Sequence, residues 1–110
     1  MPYDANVFSF IETKLFTRLV QEYLTDEEYR ELQNLLIDDP EAGEVIPASG
    51  GIRKLRWRAS GRGKRGGYRV IYFGKPAQHV IWMLTMYPKN VADNIPARLL
   101  RKIRKEVENG

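Results

Sequence analysis

The sequence predicts a small α+β domain: two N-terminal helices packed on a mostly antiparallel sheet of about four strands, followed by a C-terminal helix. Three observations carry that expectation. Apolar residues recur at helical spacing in residues 13–38 and again near the end of the chain, at 99–107. Between these stretches, segments from residue 52 onward alternate or run apolar as strands do, and a connector rich in proline and glycine separates the two halves. A length of 110 residues suits one domain spanning 1–110 around a single core.

The elements follow in order. Val7 to Ile11 alternates apolar and small polar residues and predicts a first strand. A helix from about Thr13 to Tyr23 is expected because Phe16, Leu19, Val20 and Tyr23 fall on one stripe at i, i+3, i+4 and i+7. Thr25-Asp26-Glu27-Glu28 reads as a capping box, with the Thr25 hydroxyl accepting from the third helical amide and Glu28 reaching back to the Thr25 amide. The acids of that first turn also suit the positive end of the helix dipole. The second helix should continue to about Asp38, burying Tyr29, Leu32, Leu35 and Leu36, and stop before Pro40. Residues 39–51, with two prolines and three glycines, form the connector.

Three further strands are expected at Ile52–Arg58, Tyr68–Gly74 and His79–Tyr87, the first two joined by the Gly-rich basic loop SGRGKRGG. Alternation sets Lys54, Arg56 and Arg58 on one face and Arg53, Leu55 and Trp57 on the other. The run VIWMLTMY is apolar on both faces, as in a strand covered on both sides. Asn94 is placed to cap a last helix with Pro96 in its first turn. Its Leu99, Leu100, Ile103 and Val107 should face the core, and Arg98, Arg101, Lys102, Arg104 and Lys105 should face outward or toward a ligand.

Charge is distributed unevenly along this frame. Residues 1–44 carry a balance of −8 and residues 45–110 a balance of +12, although the net charge is only +4. No Asp or Glu occurs between Val45 and Ala92, and eight of the eighteen Lys and Arg residues lie between Arg53 and Arg69. Such a surface is expected to meet a polyanion, with the acidic part helping to orient it. Each cation also has a plainer reading, since a basic strand edge discourages unwanted strand pairing. The Gly-rich loop is either a simple turn or a place where backbone and Lys64 and Arg65 approach a phosphate chain. Tyrosines 68, 72 and 87 interleave with the cations and can either pack or stack on bases.

Some chemistries are excluded. With no cysteine there are no disulfides, thiolate metal sites or cysteine nucleophiles. His79 is the single histidine, so a Ser-His-Asp triad is nearly out of reach, and it is expected merely to begin a strand. No apolar run is long enough for a membrane span, and the N-terminus does not read as a secretory leader, so a cytoplasmic protein is expected.

The residues also carry a resemblance. Gly51-Ile52-Arg53-Lys54-Leu55-Arg56, Gly66-Gly67-Tyr68-Arg69-Val70-Ile71-Tyr72 and Leu84-Thr85-Met86-Tyr87-Pro88-Lys89-Asn90 follow the connector Pro40-Glu41-Ala42-Gly43-Glu44-Val45-Ile46. In that order they resemble the RelE superfamily of toxin–antitoxin toxins, nearest its HigB-type branch. The resemblance implies the RelE-like fold and an mRNA endonuclease that cuts codons in the ribosomal A site, needs no metal or other cofactor, and is held inactive by a cognate antitoxin. In this branch the antitoxin is HigA-like and often carries a helix-turn-helix. The sequence agrees on the metal, because a two-metal nuclease needs converging carboxylates and the basic region has none.

By the same resemblance, Arg69 would clamp the scissile phosphate through a guanidinium fork that keeps its charge. Lys54 and Arg56 occupy the paired basic positions of the preceding strand. Lys54 is expected to be the general base, which requires cations such as Arg56 to weaken its hold on the proton. Lys89 would stabilise the transition state or assist the leaving group. Arg53, Arg58, Arg62, Lys64 and Arg65 would bind mRNA or rRNA phosphates. One position departs from the family: Ile95 stands where some members have a tyrosine, leaving Tyr72 or Tyr87 to stack on a base. Relatives of the same fold poison DNA gyrase, and a basic RNA-binding module without chemistry is a further alternative.

Overall fold

Two threonines start the helical half. In the computed structural model, which describes residues 8–59, 67–89 and 97–109, Thr13 caps α1 (Lys14–Tyr23) by accepting from the Phe16 amide at 3.0 Å. Thr25 caps α2 (Asp26–Asp38), and the expected capping box is formed in full: Glu28 N–H donates to Thr25 Oγ1 at 3.1 Å and Thr25 N–H donates to Glu28 Oε1 at 2.8 Å. Each helix has a buried stripe facing the sheet, Phe16 and Val20 on α1 and Leu32 and Leu36 on α2. Leu19, Tyr23, Tyr29 and Leu35 pack at its margins, half-buried.

The sheet has five strands, one more than the sequence suggested: β1 (Ser9–Glu12), β2 (Glu44–Val45), β3 (Arg53–Trp57), β4 (Tyr68–Lys75) and β5 (Val80–Pro88). Their order is β1-β5-β4-β3-β2. β1 runs parallel to β5 and every other pairing is antiparallel, so the sheet is mostly antiparallel as expected. The additional strand β2 lies inside the segment expected to be only a connector. Its pairing depends on Gly43, which adopts φ +89 and would place a Cβ only 2.5 Å from the Lys54 carbonyl oxygen. A side chain there would push the connector off β3, whereas glycine lets it approach and pair.

Leu55, Trp57, Val70, Tyr72, Ile81, Met83 and Met86 face α1 and α2. The opposite face holds a second cluster, Ile52, Ile71, Phe73, Leu84 and Tyr87, covered by Leu100 of α3 (Ala97–Asn109). A bulge between β4 and β5 lets both strands serve these faces: Ile71 pairs with Thr85 and Tyr72 with Met83, leaving Leu84 as the extra residue. α3 is further seated by Arg104, whose guanidinium lies 4.4 Å from the Phe73 ring centroid, a cation–π contact. His79 does not begin β5; it takes a left-handed conformation at the end of a single 3-10 turn, Pro76–Gln78, with φ 56. Its ring packs 5.1 Å from that of Phe8. The caps expected at Asn94 and Pro96, and the start of the first strand at Val7, lie outside the described residues.

Among the described residues, no helix is long and apolar enough to cross a membrane.

Candidate nucleic-acid interface

Strand register assembles the cations. On β3, Leu55 and Trp57 turn into the helical core, so Lys54 and Arg56 must face the α3 side. The register with β4 sets Arg56 directly opposite Arg69, and the register with β5 sets Arg69 opposite Tyr87. Residues paired in this way share a face with Cβ atoms roughly 4.5–5.5 Å apart. Two guanidinium groups therefore rise side by side, Arg56 exposed and Arg69 half-buried. Lys54 stands in the neighbouring row, opposite Ile71.

The hairpin end of this face is set by a second glycine. Gly67 adopts φ +63, and a Cβ on it would lie 2.6 Å from the Trp57 carbonyl oxygen and 3.3 Å from Arg58 Cβ. The Gly67 carbonyl accepts from the Lys89 amide at 3.3 Å. Arg58 and Lys89, both exposed, thus flank a residue that has no side chain between them. Lys54, Arg56, Arg69 and Lys89, separated by up to 35 positions in sequence, are gathered on one side of the sheet, with Arg58 at the margin. Arg62, Lys64, Arg65 and Ile95 lie outside the described residues.

Three expected RNA contacts receive other positions. Tyr72 cannot stack on a base: it is fully buried on the helical face, and its hydroxyl donates to the carbonyls of Ala42 at 2.6 Å and Pro40 at 3.2 Å. Burial raises its pKa well above the ordinary phenol value, so the hydroxyl remains a donor. Tyr87 does lie in the row of Arg69, but it is 7% exposed and packs in the cluster with Leu100, offering no open ring face. Arg53 shares the face of Leu55 and Trp57, and its Nη1 donates to the Glu41 carbonyl at 2.8 Å and the Gly43 carbonyl at 3.4 Å. It fastens the connector.

The same geometry brings in a residue that the sequence did not single out. Glu44 of β2 pairs in register with Lys54, and Gly43, Glu44, Lys54, Leu55 and Arg56 line a shallow pocket at this edge of the sheet. The only signal in the sequence was its position in the connector. Among the described residues no group of three or more His, Cys, Asp or Glu side chains is gathered where it could hold a metal ion. What the arrangement can do is hold a phosphodiester: paired guanidinium forks for its oxygens, with amines on both sides.

The architecture has known counterparts. The structure of the Escherichia coli toxin RelE, determined in its free state as a double arginine-to-alanine mutant, superposes with a TM-score of 0.58 at 12% identity, covering 89% of this chain and 97% of that one. An archaeal RelE–RelB complex from Pyrococcus horikoshii gives 0.44 at 24% identity, over 78% of this chain and 99% of the other. No family model matches the sequence. The class is therefore set by architecture: this chain has the RelE-like α+β fold.

Proposed function

We propose that this protein is the toxin of a type II toxin–antitoxin system, a ribosome-dependent mRNA endonuclease of the HigB-type branch that cuts codons in the A site without a metal ion. The observation that carries this reading is the cross-strand opposition of Arg56 and Arg69, flanked by Lys54 and Lys89. Like charges directly opposed on a sheet weaken it. An anion between them turns that repulsion into binding, and in this reading the anion is an mRNA phosphodiester.

In this reading the RNA's own 2′-hydroxyl is the nucleophile. Its oxygen attacks the adjacent phosphorus, the P–O5′ bond breaks, and the products end in a 2′,3′-cyclic phosphate and a 5′-hydroxyl. Arg69 holds the scissile phosphate by two oxygens, and Lys54 and Arg56 neutralise charge as the phosphorane forms. Lys89 assists departure of O5′. Arg58 and the loop cations Arg62, Lys64 and Arg65 contact flanking mRNA or rRNA phosphates. The cognate antitoxin, HigA-like with a helix-turn-helix, silences the protein by covering this face or by blocking ribosome entry. The site of action is cytoplasmic.

The test is primer extension on one defined mRNA, naked or programmed on 70S ribosomes, with wild type and Arg69→Ala. Cuts within A-site codons that require ribosomes and vanish in the variant are expected. Intact mRNA in both settings overturns the reading, and a gyrase cleavage assay then separates a gyrase poison from an RNA-binding module without chemistry.

A further inference from the structure

The segment leading into β2 is held with more care than a connector needs. Four successive carbonyls, those of Pro40, Glu41, Ala42 and Gly43, accept hydrogen bonds from just two side chains, Tyr72 and Arg53. Asp39 closes the turn from inside, its carbonyl accepting from Ala42 N–H at 3.1 Å and its Oδ1 from Glu41 N–H at 3.2 Å. Gly43 then presses against the Lys54 carbonyl at a distance that no side chain fits. The next residue is Glu44, exposed, opposite Lys54, and lining the same pocket as Lys54 and Arg56. Among the described residues it is the one acid that strand register sets opposite a cation of this face.

We propose that Glu44 is a catalytic residue, the general base that takes the proton from the attacking 2′-hydroxyl; this rests on the ribonuclease reading above. A carboxylate only accepts, whereas an ammonium only donates. Of the two residues paired across β2 and β3, the carboxylate is therefore the one ready to accept, and Lys54 serves as a cation beside it. The proton passes from O2′ to a Glu44 carboxylate oxygen as the O2′–P bond forms. The P–O5′ bond breaks, and O5′ takes a proton from Lys89. Exchange through water then moves the proton from Glu44 back to Lys89, so the cycle consumes nothing beyond the RNA.

The experiment compares wild type, Glu44→Gln, Glu44→Asp and Arg69→Ala in single-turnover cleavage of ribosome-programmed mRNA at neutral pH, with thermal melts confirming the fold of each. Removal of a general base costs roughly 100-fold or more in rate. Glu44→Gln should show that loss at saturating protein, with unchanged half-saturation. Glu44→Asp should recover most of the rate, since it restores the carboxylate. The proposal is overturned if Glu44→Gln cleaves within threefold of wild type while Arg69→Ala is inactive, or if its defect lies in half-saturation alone. A wild type that leaves ribosome-bound mRNA intact removes the ribonuclease reading itself, and this inference with it.

Discussion

The two faces of the sheet are made from alternate residues of the same strands and are built on opposite terms. On the face under α1 and α2, polar groups that enter the core are partnered. Glu12 accepts from Thr17 at 2.5 Å and from the Tyr29 hydroxyl at 2.6 Å, tying β1 to both helices. Burial and the nearby Glu12 carboxylate both push the Tyr29 pKa up, which keeps that hydroxyl donating. On the other face, Arg56 and Arg69 are set against each other. The contrast teaches that along β3 side-chain parity separates Leu55 and Trp57, which enter the helical core, from Lys54 and Arg56 of the cationic face. A substitution should report on one set with little spill into the other.

The largest effect should come from the helical face. Phe16 is fully buried, and truncation to Ala should cost about 3–5 kcal/mol. For a domain whose total stability is on the order of 5–15 kcal/mol, that loss brings unfolding well into reach in urea denaturation. Arg69→Ala, the control for the proposed function, should leave the urea midpoint nearly unchanged. Equal loss of stability in both variants would break the separation of faces.

Tyr72→Phe should have an intermediate effect that crosses between the faces. Removing a buried hydroxyl that holds the Ala42 and Pro40 carbonyls should cost about 1–2 kcal/mol. Because those bonds fix the approach to β2, cleavage should also fall under conditions where the variant is fully folded, measured alongside its urea curve. A purely stabilising Tyr72 would lower the midpoint and leave the rate intact.

The smallest effect should have the opposite sign. Arg56→Thr removes one of two opposed like charges and places a good strand former there, so stability should rise by up to about 1 kcal/mol. The same variant should bind RNA more weakly, with the slope of log affinity against log salt reduced by about one, as titrations at several salt concentrations would show.

How much was legible in the sequence follows from how local each signal is. The helices were readable because their caps and stripes are complete within a few residues, and Thr25 with Glu28 forms the very box its spacing implies. The separation of Lys54 and Arg56 from Leu55 and Trp57 was readable because alternation is a property of one strand. β2 was not readable: two exposed residues carry no alternation, and they pair only because Gly43, Arg53 and Tyr72 press and fasten the chain from elsewhere. The fate of Tyr72 needed the β3–β4 register, which puts Val70 opposite Leu55 and commits Val70 and Tyr72 to the helical core. That register is fixed across a basic loop whose length hides it. Glu44 was hidden for the same reason, since only the pairing with Lys54 shows which cation it meets.

The parallel pairing of β1 with β5 also orders events while the chain is being made. Thr13 closes onto the carbonyl of Leu84, a partner 71 positions downstream, and Ser9 N–H bonds the carbonyl of His79. Of the five strands of this sheet, the one made earliest is therefore the one that must wait longest for its neighbour, and contacts of such separation form slowly. The cationic face is on the same schedule, because its last member, Lys89, follows β5. On the proposed function, a nascent chain has no assembled site to turn on the ribosome producing it until nearly the whole domain has been synthesised.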